Sequence, residues 1–191
     1  MSKYIPQILI GIVTGIVLYF LVGWLDGFGF LAIWIGFFGG AGTAYILANL
    51  AGNRKVALAS GADKAKALEF VPPPGQALLV VQRRGYIAKL AGLNLFLDER
   101  EFAQLKSPAF TCLAVTPGAH TLAVRFGGLA GPQSKPGTWD FQAPDGGVVG
   151  VRIDVGLGLA QNAFKFTPES DVAQLRAQVS PIPMVVATPA A

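Results

Sequence analysis

IPQILIGIVTGIVLYFLVGWL at Ile5–Leu25, then Asp26, then GFGFLAIWIGFFGGAGTAYILANLAG over residues 27–52, is the stretch that decides the fold. Neither run carries a charged side chain, and Asp26 alone separates them. A hydrocarbon core of about 30 Å is crossed by about 20 apolar residues of helix, so each run is long enough to span a bilayer. The sequence therefore predicts a transmembrane helical hairpin over residues 1–52, with spans at about 5–25 and 28–50, and a soluble β-rich domain attached to its C-terminal end.

The inner faces of the hairpin are legible as well. Gly11 and Gly15 form a small-xxx-small pair in the first span, and Gly36 and Gly40 repeat the spacing in the second. In an antiparallel hairpin turning about Asp26, Gly11 falls at the depth of Ala41 and Gly15 at that of Phe37, so the glycines of both helices meet. Close backbone approach at glycine replaces the hydrophobic drive that lipid cannot supply. Two other readings stay open: glycine is simply common in membrane helices, or one glycine face serves another copy or another subunit.

Asp26, Gly27 and Gly29 supply turn chemistry, while Tyr4 and Trp24 flank the first span at interface depths. Arg54, Lys55, Lys64 and Lys66 follow the second span, against only Asp26 in the connection. The positive-inside bias places both termini in the cytoplasm, in a bacterial inner membrane crossed more than once, with those four residues meeting anionic lipid headgroups. An export signal is the rival. Lys3 resembles a short basic n-region and Ala57-Leu58-Ala59 a cleavage site, but the apolar run is too long for a typical signal and a second run follows.

Composition narrows the function classes. The 52% hydrophobic content and mean hydropathy of +0.51 come chiefly from the first quarter of the 191 residues. A net charge of +4, without a basic stripe or a reader motif, gives no nucleic-acid footprint. A single cysteine, Cys112, allows no intramolecular disulfide and no thiol-based metal cluster.

Residues 53–75 read as a basic juxtamembrane segment with a proline linker: a frayed extension of the second span, a short surface helix or a solvated linker, ended by Pro72-Pro73-Pro74-Gly75. From residue 76 the period changes to two. Ala77 to Gln82 is a continuous apolar run, as in a strand buried on both faces, broken by Arg83-Arg84-Gly85. Leu93, Leu95 and Leu97 alternate with Asn94, Phe96 and Asp98, and a turn at Glu99-Arg100 leads to Phe102–Leu105, which reads as a hairpin. Phe110 to Val115 precedes a Pro117-Gly118 turn of type II character. Further strands place Leu122, Val124, Phe126, Trp139 and Phe141 inward, then Val149 to Val155, and lastly Phe164 and Phe166. Seven or eight short strands over residues 76–167 predict an antiparallel β-sandwich. A short C-terminal helix over 168–179, with Pro168 in its first turn and Val172, Leu175 and Val179 on one stripe, follows. The tail at 180–191 is disordered or an extended strap.

The stretch over about 77–166, and above all Leu95-Phe96-Leu97-Asp98, Phe102, Leu105, Phe110 and the run from Val115 through Pro117-Gly118-Ala119-His120 to Val124, resembles the PEGA-like β-sandwich domains of bacteria, in an uncharacterised membrane-tethered branch. The resemblance implies a fold built on structural turns and no particular activity. Its members often have glycine after the strand-ending Asp, where this chain has Glu99-Arg100, and they are often exported.

No catalytic constellation emerges. His120 is the only histidine, and in its Pro-Gly-Ala-His turn it is expected to hydrogen-bond a neighbouring strand or loop. Cys112 lies in an apolar strand and is expected to be inert. Asp98, Glu99 and Glu101 share one hairpin, whereas paired-carboxylate chemistry draws its acids from separate elements. The glycine-rich stretch at 127–137 lacks the spacing of a phosphate-binding loop. The sequence thus points to a non-enzymatic membrane protein with no cofactor or metal. It would be an accessory or scaffold subunit of a bacterial membrane assembly, its partners being the lipid bilayer and either other membrane subunits or further copies of itself, with no nucleic acid. The alternative is an envelope-facing module binding sugar or peptidoglycan.

Overall fold

The computed structural model describes residues 4–128, 131, 135–156 and 163–188. The chain forms two compact units, one of Met1–Asn53 with Gly127–Ala130 and one of Arg54–Phe126 with Gly131–Ala191.

The first unit contains α1 (Ile5–Asp26) and α2 (Phe30–Leu50). Pro6 occupies the first turn of α1, where a missing N–H breaks no helical bond. The helix stops at Gly27, whose left-handed φ of 61° lets its N–H return to the Gly23 carbonyl. Phe28, itself at φ 59°, packs its ring beside Tyr19 and Phe20 over the flat surface of Gly23. The two helices are antiparallel and touch backbone to backbone. A Cβ on Gly11 would lie 2.7 Å from the Gly40 carbonyl oxygen, and one on Gly40 equally near that of Gly11. The same reciprocity joins Gly15 and Gly36, at 2.8 and 2.9 Å. Apolar side chains consequently point away from the contact: only 11% and 17% of the residues in the two apolar windows are buried. Both helices are long and apolar enough to cross a membrane.

The second unit is a sandwich of two four-stranded sheets, in strand orders β4-β1-β7-β8 and β3-β2-β5-β6. The strands are β1 (Ala77–Arg83), β2 (Leu93–Leu97), β3 (Arg100–Leu105), β4 (Ala109–Val115), β5 (Gly118–Phe126), β6 (Gly137–Ala143), β7 (Val148–Gly156) and β8 (Ala163–Glu169). Leu79, Val81, Leu93, Leu95, Phe102, Leu122, Val124, Val151 and Ile153 fill the space between the sheets. A second core lies on the other face of β1, where Leu78 and Val80 meet Phe70, Phe110 and Ile182 together with Leu175 and Val179 of α4 (Val172–Val179). All seven residues of β1 are therefore buried. That is why its sequence runs apolar without alternation.

Three expectations need correction. The sandwich is not wholly antiparallel, because β1 pairs with β7 in parallel from Leu78↔Val148 to Arg83↔Ile153. Alternation reports which face a residue occupies and carries no information on strand direction. The helix expected from residue 168 begins at Val172, capped by Asp171 through bonds to the Ala173 and Gln174 N–H groups. Pro168 instead pairs with Val151 in β8, an edge strand, where the ladder tolerates a missing donor. The Asp98-Glu99 turn has both residues at positive φ, 46° and 70°, the primed geometry that fits a two-residue hairpin, so strand β3 starts at Arg100. Gly118 does take a positive φ, 131°, but the bend at Pro117 carries the chain from one sheet to the other.

The stretch read as a linker is folded onto the sandwich. Val186 donates to the Ala57 carbonyl at 2.9 Å, Ala59 to that of Met184 at 2.9 Å, and Val56 packs on the core. A seven-residue helix, α3 (Gly61–Ala67), is capped by Ser60 and is separate from α2. The tail over residues 181–188 is an extended strap: Ile182 and Val185 are buried, and Thr188 donates to the Phe102 carbonyl.

Candidate functional site

A polar cluster surrounds His120. Strand β5 carries it opposite Phe141 of β6, and the β2–β3 turn presents Asp98. Nδ1–H of His120 donates to Asp98 Oδ2 at 2.6 Å, and Nε2–H donates to the Thr116 carbonyl at 2.7 Å. A carboxylate and a carbonyl both accept, so this geometry holds an imidazolium with each nitrogen in use. The ring lies 5.7 Å from that of Phe141, and its side chain is 9% exposed.

Burial alone would lower the histidine pKa, but the bonds to Asp98 and Thr116 and the Asp98 charge outweigh it and raise the pKa above 6.5. Burial would likewise raise the Asp98 pKa. The Thr121 N–H at 2.9 Å on Oδ1 and the His120 contact on Oδ2 reverse that and hold it below 3.8.

This arrangement ties three loops and strands together and offers no free lone pair. A general base needs an unprotonated nitrogen facing a substrate proton, and a metal ligand needs a bare one. Asp140 beside it accepts from Thr121 Oγ1 at 2.6 Å, lining an open depression of about 400 Å³ with Asp98 and His120. Among the described residues no three His, Cys, Asp or Glu side chains converge as a metal site.

The other chemistry-bearing residues are dispersed. Glu101 pairs with Arg54, Asp98 is held as above, and Glu99 is exposed, so the hairpin acids face three different environments. Cys112 points into the second core, where burial pushes its thiol up to about 12. The glycine-rich stretch at 127–137 lies partly outside the described residues.

Of the four basic residues assigned to the membrane surface, Arg54 is engaged by Glu101 and Lys64 Nζ donates to the Ser180 carbonyl at 2.7 Å, while Lys55 and Lys66 are exposed. Gly11, Gly15, Gly36 and Gly40 lie together in the α1–α2 contact.

One residue escaped the sequence. Arg83, read as part of a strand break, is the last residue of β1 and is fully buried. Among the described residues it pairs with no carboxylate. Its Nη1 donates to the carbonyls of Ala91 at 2.6 Å and Leu105 at 2.8 Å, its Nη2 to that of Ala88 at 2.7 Å, and burial lowers its pKa to about 10. The sole sequence signal was an arginine directly continuing an apolar strand.

No protein-family model matches the chain, and no curated protein matches it.

Proposed function

We propose that the chain is a non-enzymatic membrane-anchored interaction module, an accessory or scaffold subunit of a bacterial inner-membrane assembly, crossing the membrane twice with both termini in the cytoplasm. The observation that carries this reading is the outward display of large apolar side chains on every side of the helix pair. Leu9, Val13, Phe20, Phe30, Phe37 and Phe38 are each more than half exposed. A patch of that extent on a helical pair requires lipid or protein around it. The locked imidazolium of His120 supports a structural role for the one cluster that resembles chemistry. The domain is taken as a PEGA-like sandwich on the residues quoted above, which adds a fold precedent and no activity.

Purification of the full chain in mild detergent tests the proposal: a stoichiometric second protein or a defined oligomer is the expected result, and a lone monomer would refute it. Reporter fusions after Ala191 decide sidedness. An active cytoplasmic reporter is expected, whereas an active periplasmic one would transfer support to the envelope-facing sugar or peptidoglycan module.

A further inference from the structure

We propose that the loop over residues 84–92 is a second membrane contact, a preshaped lipid-docking loop that sets Tyr86, Ile87 and Leu90 into the interface of an anionic bilayer. The proposal rests on the membrane-anchored reading above. Tyr86 is 89% exposed, Leu90 61% and Ile87 36%, three large apolar or amphipathic side chains within five residues; the domain's other exposed large apolar residues, Leu58, Val71, Val172 and Val186, lie outside this loop. An ordinary surface loop would carry polar side chains here.

The loop is built from the inside. The buried Arg83 guanidinium draws in the carbonyls of Ala88 and Ala91, Ser107 Oγ donates to the Gly85 carbonyl at 2.7 Å, and the Ser107 N–H to that of Lys89 at 3.1 Å. Lys89 N–H closes on the Tyr86 carbonyl at 3.3 Å. With the carbonyls of Gly85, Tyr86, Ala88, Lys89 and Ala91 bonded within the domain, the loop can turn apolar side chains toward lipid while stranding few peptide groups there. A charge buried without a counter-ion is costly, and the organisation of this loop accounts for its retention.

Charge complementarity selects the occupant. Arg84 and Lys89 lie in the loop and Lys106 adjoins Ser107, which is bonded to it, and none of the three is ion-paired among the described residues. No acid occurs between Arg83 and Leu97, and the nearby Asp154 is paired with Arg152. Lys89 Nζ lies 5.9 Å from the Tyr86 ring centroid. An aromatic ring beside basic groups is the composition of a headgroup-level anchor on an anionic leaflet, where each cation strengthens attachment by about five-fold.

The test uses the full chain in lipid nanodiscs, with an environment-sensitive fluorophore on Leu90→Cys, on Val13→Cys within α1, or on Asp145→Cys in a turn at the other end of the sandwich. The Cys112 thiol, half-buried against the second core and raised to about 12, leaves the introduced cysteine as the reactive one. Quenching by doxyl-labelled lipid is expected at positions 13 and 90 and not at 145. At 90 it should be several-fold stronger in discs containing phosphatidylglycerol than in phosphatidylcholine alone. Quenching at 13 without quenching at 90 would overturn the docking loop and leave the membrane anchor standing, while its absence at both would overturn the anchor. Equal quenching at 90 in both lipids would overturn the anionic surface as the occupant.

Discussion

Replacing His120 by Gln removes the titrating group from the Asp98–His120–Thr116 bridge while keeping a side chain of similar reach. In the intact protein the imidazolium makes two hydrogen bonds, at 2.6 and 2.7 Å. A bond to a charged partner contributes about 1.5–3 kcal/mol, and solvent around Asp98, whose side chain is 49% exposed, reduces the carboxylate share to about 1 kcal/mol. The carbonyl bond adds about 1 kcal/mol. The folded His120 pKa is raised, so its stabilisation is fully present below the unfolded value near 6.5 and is lost as pH rises through the higher folded value. The folded Asp98 pKa is depressed, so its share is present above the unfolded value near 3.8 and is lost as pH falls through the lower folded value. The bridge is thus strongest between those two pH values. Thermal unfolding of the full chain in detergent at acid and alkaline pH measures this. Near pH 5 the variant should unfold about 8 °C lower, taking about 4 °C per kcal/mol for a domain of this size, and the gap should shrink by about half at alkaline pH. A gap of constant size across that range would refute the imidazolium assignment.

Three further outcomes follow from geometry. Glu99→Gly should stabilise the domain by about 0.5–1 kcal/mol, because Glu99 sits at φ 70° where glycine is unstrained; a loss of denaturant midpoint would contradict the turn. Gly40→Val should force α1 and α2 apart, since its Cβ would meet Gly11 and Gly15 backbone within 3.0 Å, at a cost of about 1–3 kcal/mol. Disulfide trapping of cysteines placed at Ile8 and Ala44 should then slow markedly, and an unchanged rate would refute the contact. Arg83→Met should keep the fold but release the carbonyls of Ala88 and Ala91, raising hydrogen exchange across residues 85–92 with little change in β2 or β5. Unaltered protection in that loop would show that the guanidinium does not shape it.

Apolar length located α1 and α2, and period-two alternation located most strands, because burial on one face leaves a local mark on the sequence. Pro168 misled because the first helical turn and an edge strand both tolerate proline, and only the neighbour across the sheet distinguishes them. Residues 53–75 leave a frayed extension, a short surface helix and a solvated linker open in the sequence, because Val56 and Phe70 find their apolar partners far along the chain, in the tail and under α4. The turn containing His120 leads one to expect a hydrogen bond to a neighbouring strand or loop, but its acid lies 22 residues away on another turn, and no local pattern joins them. Arg83 was invisible as a site because its partners are carbonyls, which every residue type supplies.

The sequence by itself determined the composition of each layer: a charge-free helical pair with glycines in register, then a chain of short alternating strands punctuated by turns. These follow from short-range periodicity and from the length of uninterrupted apolar runs. Only the tertiary structure decided the parallel pairing of β1 with β7, the second core beneath α4, the Asp98–His120–Thr116 bridge and the carbonyls that the 84–92 loop turns toward Arg83 and Ser107. Each depends on which distant segments are brought together, and that is fixed by the joint packing of both sheet faces rather than by any one stretch.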